Sequence, residues 1–106
     1  MSQVVIHGDT VYTAGQVARN AAGEDAAAQT RDILDAIDRL LAEAGTDKSR
    51  LLSANIWLAS MEDFQAMNEI WDAWVDPANT PVRACVESRL AHPRYTVEIA
   101  VIAAKD

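Results

Sequence analysis

Arg83 and Glu98 are the residues of this chain whose types and settings best suit chemistry. Arg83 lies in Pro81-Val82-Arg83-Ala84-Cys85-Val86-Glu87, and Glu98 lies in Tyr95-Thr96-Val97-Glu98-Ile99. Both runs alternate as strands do, and the turn-rich link Ala91-His92-Pro93-Arg94 lies between them. Read as a hairpin, they bring the cation of one strand near the carboxylate of the next. A charge set among apolar strand residues is costly to bury without a partner. A planar guanidinium can pair a carboxylate through two parallel hydrogen bonds. A glutamate nearby can position and activate water, an assistance typically worth ~10²–10⁴ in rate. The bland alternative for both is a structural ion pair, which the two could form with each other.

The elements that must position them follow from periodicity. Residues 3–7 and 10–16 read as strands joined by the turn Gly8-Asp9. From Asp25 to Ala44 the period becomes helical. Thr30, Ile33, Leu34, Ile37, Leu40, Leu41 and Ala44 make one apolar stripe, and Gly45 stands where a C′ glycine ends a helix. Residues 50–59 alternate again, with Leu52, Ala54, Ile56 and Leu58 on one face and Ser53, Asn55 and Trp57 on the other. Ser60 is expected to cap a second helix, with Asp63 as its capping-box partner. Met61, Phe64, Met67, Trp71 and Trp74 follow helical spacing. The segment 76–81 is a loop.

The order β-β-α-β-α-β-β predicts an α+β fold: one domain over residues 1–106, with a mixed sheet and both helices on one face. The β-α-β segment requires a crossover, so part of the sheet is parallel. Tyr95, Val97, Ile99 and Val101 suit the helix side. The opposite face then carries Thr96, Glu98, Ala100 and Ile102, and the reading adds Trp57, Arg83 and Cys85 to it. Such a face is too apolar for plain solvent and predicts packing between copies.

Composition narrows the classes. The chain has 106 residues, half of them hydrophobic, and a formal net charge of −7. That charge disfavours nucleic acid, whose binders need a clustered cationic footprint. No basic n-region or apolar leader opens the chain, and no run approaches the ~20 apolar residues that span a bilayer. A soluble cytoplasmic protein without membrane contact is expected. One cysteine, Cys85, allows no internal disulfide. It has no neighbouring histidine to form a thiolate pair, so it is read as an inert small hydrophobe and not a nucleophile. His7 and His92 are far apart, and no His/Cys/Asp cluster has metal-ligand spacing, so no metal is expected. Trp71 and Trp74, with Phe64 and Met67, read as core residues.

Five segments together resemble the RidA (YjgF) family. Val11-Tyr12-Thr13-Ala14-Gly15-Gln16 is similar to its strand ending in a Ser-Gly-Gln-type motif. Glu43-Ala44-Gly45 resembles its helix terminus. Asp63-Phe64-Gln65-Ala66-Met67-Asn68 resembles its Asp-Phe-x-x-(Val/Met)-Asn segment. Pro81-Val82-Arg83-Ala84-Cys85-Val86 resembles its Pro-x-Arg-x-x-Val signature, and Val97-Glu98-Ile99 its closing strand. No one segment is specific; five in order are. The short length and Trp71-Asp72-Ala73-Trp74 are most similar to the YoaB-like branch.

The resemblance implies a chorismate-mutase-like fold, a homotrimer, and ligand sites in clefts between subunits. It implies hydrolysis of reactive 2-imino acids, such as 2-iminobutanoate and 2-iminopropanoate, to 2-oxo acids and ammonia, with no cofactor. Arg83 would hold the substrate carboxylate and Glu98 would handle water. Gly15, Ala14, Asn68 and Cys85 would line the ligand, with Asn68 reaching a neighbouring subunit's cleft. Two departures stand out. The family's N-terminal aromatic cover has no counterpart ahead of the first strand here, and Ala14 replaces a serine. Both favour an alternative: a non-catalytic binder of small carboxylates on the same fold. A structural or regulatory partner protein with an empty cleft is a third reading.

Overall fold

The computed structural model describes residues 1–105 of the chain. Strands β1 (Val4–His7) and β2 (Thr10–Thr13) form an antiparallel hairpin, with His7 opposite Thr10. Gly8 turns the chain at φ 59°, a left-handed conformation that glycine adopts without a Cβ clash. The second strand does not run on to residue 16. It breaks at Ala14-Gly15 and resumes as β3 (Gln16–Val17).

Helix α1 (Ala26–Glu43) starts where the Asp25 carboxylate accepts the Ala28 N–H. It ends in a Schellman motif: Gly45 N–H donates to Ala42 O, Thr46 N–H donates to Leu41 O, and Gly45 takes φ 84°. Ile33, Leu34, Ile37 and Leu41 are buried along one stripe. A 3₁₀ turn (Lys48–Arg50) leads into β4 (Leu51–Leu58). A second 3₁₀ turn (Met61–Asp63) precedes α2 (Phe64–Trp74). Ser60 caps that turn, its Oγ accepting the Glu62 N–H, and the Asp63 side chain makes no cap bond to α2. The expected capping box is therefore replaced by a local turn one step earlier. The chain closes with β5 (Val82–Glu87) and β6 (Val97–Ala104).

The sheet order is β1-β2-β6-β4-β5, with β3 also on β6. β4 and β5 are parallel, joined over α2, and the other pairs are antiparallel. The helices cover one face. Between them and the sheet lie Val11, Ile33, Leu34, Ile37, Leu41, Ile56, Leu58, Met67, Val97, Ile99 and Val101, all essentially inaccessible. Among the described residues, no helix is long and apolar enough to cross a membrane.

Two sequence expectations fail here. β5 and β6 do not form a hairpin, because β4 lies between them. The link 88–96 passes over the end of β4: Ser88 N–H donates to Leu58 O on one side, and Ala59 N–H donates to Thr96 O on the other. Simple alternation also fails at the start of β4. A register shift between Leu51 and Ser53 buries Leu51 and leaves Leu52 49% exposed.

The face away from the helices is strongly apolar. Val5, Tyr12, Val82 and Val86 are exposed there, beside the half-buried Trp57, Ala100 and Ile102. Their registers align them across the strands: Val5 with Tyr12, Tyr12 with Ile102, and Trp57 with Val86.

Candidate functional site

β5 lies at the edge of the sheet, and parallel pairing sets Arg83 beside Ala54 and Cys85 beside Ile56. Ala54 and Ile56 face the helices and are buried. Arg83 and Cys85 therefore share a face, as alternation requires, but it is the helix face. This corrects the expectation that they lie on the opposite face, with Trp57 and Glu98. Period two tells which residues share a face and not which face that is.

The Arg83 side chain crosses α2. Its guanidinium carbon lies 5.6 Å from the Trp71 ring centroid and 5.8 Å from that of Phe64. Nη1 donates to Asn68 Oδ1 at 2.7 Å. Phe64, Asn68 and Trp71 fall at i, i+4 and i+7, so one helix face presents all three. A cation over an aromatic face gains about 0.5–2 kcal/mol, more as water is excluded. None of these groups carries a negative charge. The guanidinium is held by neutral groups, and among the described residues no carboxylate is paired with it.

Cys85 packs against the core beside this group. Burial pushes its thiol pKa up, and Arg83 pulls it down by a smaller amount. The thiol thus stays protonated at neutral pH, as suits a lining residue rather than a nucleophile.

Glu98 belongs to a second cluster. On β6 it stands opposite Trp57 of β4 and Val17 of β3, between the buried Val97 and Ile99. Its side chain therefore emerges on the face without helices. There it meets the break in the β2–β3 strand. The pairing with β6 changes from Tyr12↔Ile102 to Gln16↔Ile99, which inserts one extra residue at Ala14-Gly15. The Thr13 hydroxyl fills in at the break, accepting the Val101 N–H at 3.0 Å. Gly15 is where the Glu98 carboxylate comes to rest: a Cβ at this position would overlap Oε2. Ala14 is held by its N–H to Gln3 O at 2.8 Å, and its carbonyl accepts from Gln16 Nε2 at 3.1 Å.

Six sequence-selected residues thus form two groups: Arg83, Asn68 and Cys85 on the helix face, and Ala14, Gly15 and Glu98 on the other. Arg83 is level with Val101 through Ala54, so strand spacing and rise put its Cα roughly 14 Å from that of Glu98. They form no ion pair within one chain. A cavity of about 640 Å³ under the β5–β6 link, lined by Ala59, Glu87, Arg89, His92 and Tyr95 among others, includes neither. Phe64 and Trp71 were read as core alone. Their spacing with Asn68 was the available signal that they also flank a cation.

The family model for endoribonuclease L-PSP matches residues 1–105. The chain belongs to that family. It is the group whose motifs the sequence resembles under the names RidA and YjgF. The chain is 47% identical over 103 residues to the RutC family protein YoaB of Escherichia coli, covering 97% of this chain and 89% of that protein. It is 35% identical over 79 residues to the 3-aminoacrylate deaminase RutC of Acinetobacter baylyi, covering 74% of this chain and 62% of the relative. Among solved structures it is similar to a YjgF family member from Neisseria meningitidis, with a TM-score of 0.96 and 48% identity, over 100% of this chain and 87% of the other. The RidA-like segments meet in pairs in the fold. Asp63–Asn68 joins Pro81–Val86 at Arg83, and Ala14-Gly15-Gln16 joins Val97-Glu98-Ile99 at Glu98.

Proposed function

We propose that this RidA-family chain is a cytoplasmic imine deaminase that hydrolyses small 2-imino acids, of the 2-iminobutanoate and 2-iminopropanoate type, to 2-oxo acids. The observation that carries this reading is the Arg83 guanidinium, fixed by a neutral amide and two rings with no carboxylate paired to it among the described residues. A small carboxylate is the natural in-plane partner of such a group. The name of the Acinetobacter relative, a 3-aminoacrylate deaminase, supports the reaction class.

The working unit is a homotrimer, in which the apolar faces of three sheets pack together. Burying that face explains why Val5, Tyr12, Val82 and Val86 are apolar. The ligand lies between neighbours, with Arg83 from one copy and Glu98 from the next. Arg83 holds the carboxylate. Glu98 takes a proton from water as the water oxygen bonds to the iminium carbon. Glu98 returns that proton to the carbinolamine nitrogen, the C–N bond breaks as the hydroxyl oxygen forms the C=O bond, and the hydroxyl proton passes to the departing ammonia. Iminium and water give the 2-oxo acid and ammonium, so atoms and charge balance without a co-reactant. The ribonuclease name attached to the family model is a poorer match, since a net charge of −7 repels a phosphate backbone.

One observation favours the second reading, a carboxylate binder without turnover. The Arg83 group is complete within one chain, whereas hydrolysis also needs Glu98. A single experiment separates the two. 2-Iminobutanoate is generated in situ with an amino-acid oxidase, and its decay is followed with and without the protein. Acceleration that disappears in Arg83→Ala supports the deaminase. No acceleration at micromolar protein removes it, and thermal stabilisation by 2-oxobutanoate would then support the binder.

A further inference from the structure

Asn68 is occupied at both ends of its amide. Oδ1 accepts from Arg83 Nη1 at 2.7 Å, and Nδ2 points to Asp72 Oδ2, one turn on, at 3.4 Å. Turning the amide over would set donor against donor at Arg83 and acceptor against acceptor at Asp72. The two neighbours thus select one orientation, in which a neutral oxygen meets the guanidinium. The Trp71 and Phe64 ring centroids lie 5.6 and 5.8 Å from the guanidinium carbon, and neither ring carries a charge that would compete with a ligand carboxylate. An aspartate at position 68 would hold Arg83 equally well in geometry. It would also neutralise the charge that a ligand needs.

We infer that Asn68 is a positioning residue, acting through Arg83 rather than on the substrate, and that its neutrality keeps the guanidinium open to a ligand carboxylate. Asp72 orients the amide, and the Phe64 and Trp71 rings pack beside the guanidinium. In this role Asn68 acts on the guanidinium, whereas the family resemblance implies a ligand contact in a neighbouring subunit's cleft. It deepens the deaminase or binder reading above, since it rests on Arg83 receiving a carboxylate.

The test uses the assembled protein and two probes of nearly equal shape, 2-oxobutanoate and the uncharged 2-oxobutanamide, with affinities measured by calorimetry. Asn68→Ala is expected to weaken 2-oxobutanoate about tenfold, the scale of one lost hydrogen bond to a charged group. Asn68→Asp is expected to weaken it further, by roughly 30-fold or more, because the new carboxylate competes for Arg83. Affinity for the amide is expected to change less than threefold in both. In imine turnover the loss should appear in KM more than in kcat. Asn68→Ser, which keeps an oxygen acceptor, is expected to recover part of the affinity. It also guards against misfolding of the other two variants. Equal loss of acid and amide binding, or an Asn68→Asp protein that binds the acid like the parent, would overturn the positioning role. Arg83→Ala is measured alongside. If it binds 2-oxobutanoate normally, the functional reading fails; if it alone loses binding, only the role of Asn68 fails.

Discussion

Gly15 lies against the Glu98 carboxylate, in the space where any other residue would place its Cβ. The two are brought together by the extra residue in the strand opposite β6. The first prediction comes from this contact. Gly15 is not in the left-handed region, so alanine is tolerated by the backbone there. The obstacle is the end of a flexible side chain, which moves aside. Gly15→Ala is therefore expected to fold, with a melting temperature within a few degrees of the parent. Imine hydrolysis is expected to fall about 10²-fold, as for a catalytic group displaced by about an ångström. Parental turnover in Gly15→Ala would show that Glu98 does not act from this position.

Gln29 carries the second prediction. It is fully buried in α1. Its Nε2 donates to Glu24 O and to Arg94 O, both at 2.9 Å, and its Oε1 accepts the Thr96 N–H at 2.8 Å. One side chain thus ties the loop before α1 to the start of β6, two residues from Glu98. Gln29→Leu keeps the volume and abandons three backbone groups, and an orphaned buried group costs about 1–3 kcal/mol. A loss of about 3 kcal/mol is expected in urea melts. A change below about 0.5 kcal/mol would mean that water satisfies those groups.

The apolar sheet face gives the third. Val86 is 51% exposed and lies in register with Trp57, which is opposite Glu98. Val86→Glu adds a carboxylate there at little cost to the isolated chain. Light scattering is expected to show a trimer for the parent and an 11.5 kDa species for the variant. Circular dichroism should be unchanged, and imine turnover should vanish with the assembly. A monomeric parent would refute both the assembly and the shared site.

Cys85 gives the fourth. Burial raises its thiol pKa, against a smaller opposing pull from Arg83. Alkylation by iodoacetamide at pH 7.5 is expected to be slower than for free cysteine. The folded chain keeps this proton to a higher pH than the unfolded chain does. Its contribution to stability is therefore full below the unfolded thiol's pKa and is lost as pH climbs through the folded value. Cys85→Ser should retain turnover within a few-fold, whereas an inactive serine variant would point to sulfur chemistry.

Local pattern carried much of this fold. The stripe from Ile33 to Leu41, the glycine at 45 and the alternation of Val97 to Val101 each mark an element that the structure contains. Strand partners were harder to read. Nothing within 81–99 shows that β4 will pass between β5 and β6, because that choice depends on a crossover through α2 far up the chain. The irregularities at Ala14-Gly15 and Leu51-Ser53 were equally hidden. Each shifts a register by one residue, and long-range pairing decides that shift. Arg83 and Glu98 were recognisable by type and by motif, and their facing opposite ways was not.

That opposition has a consequence for genetics as well as for enzymology. In the proposed trimer Arg83→Ala and Glu98→Gln each damage a different half of a shared site, so two dead proteins, unfolded together in equal amounts and refolded, are expected to regain function. Random reassortment leaves about a quarter of the interfaces with both groups intact. The same arithmetic would allow two inactive alleles to support a cell that neither sustains alone.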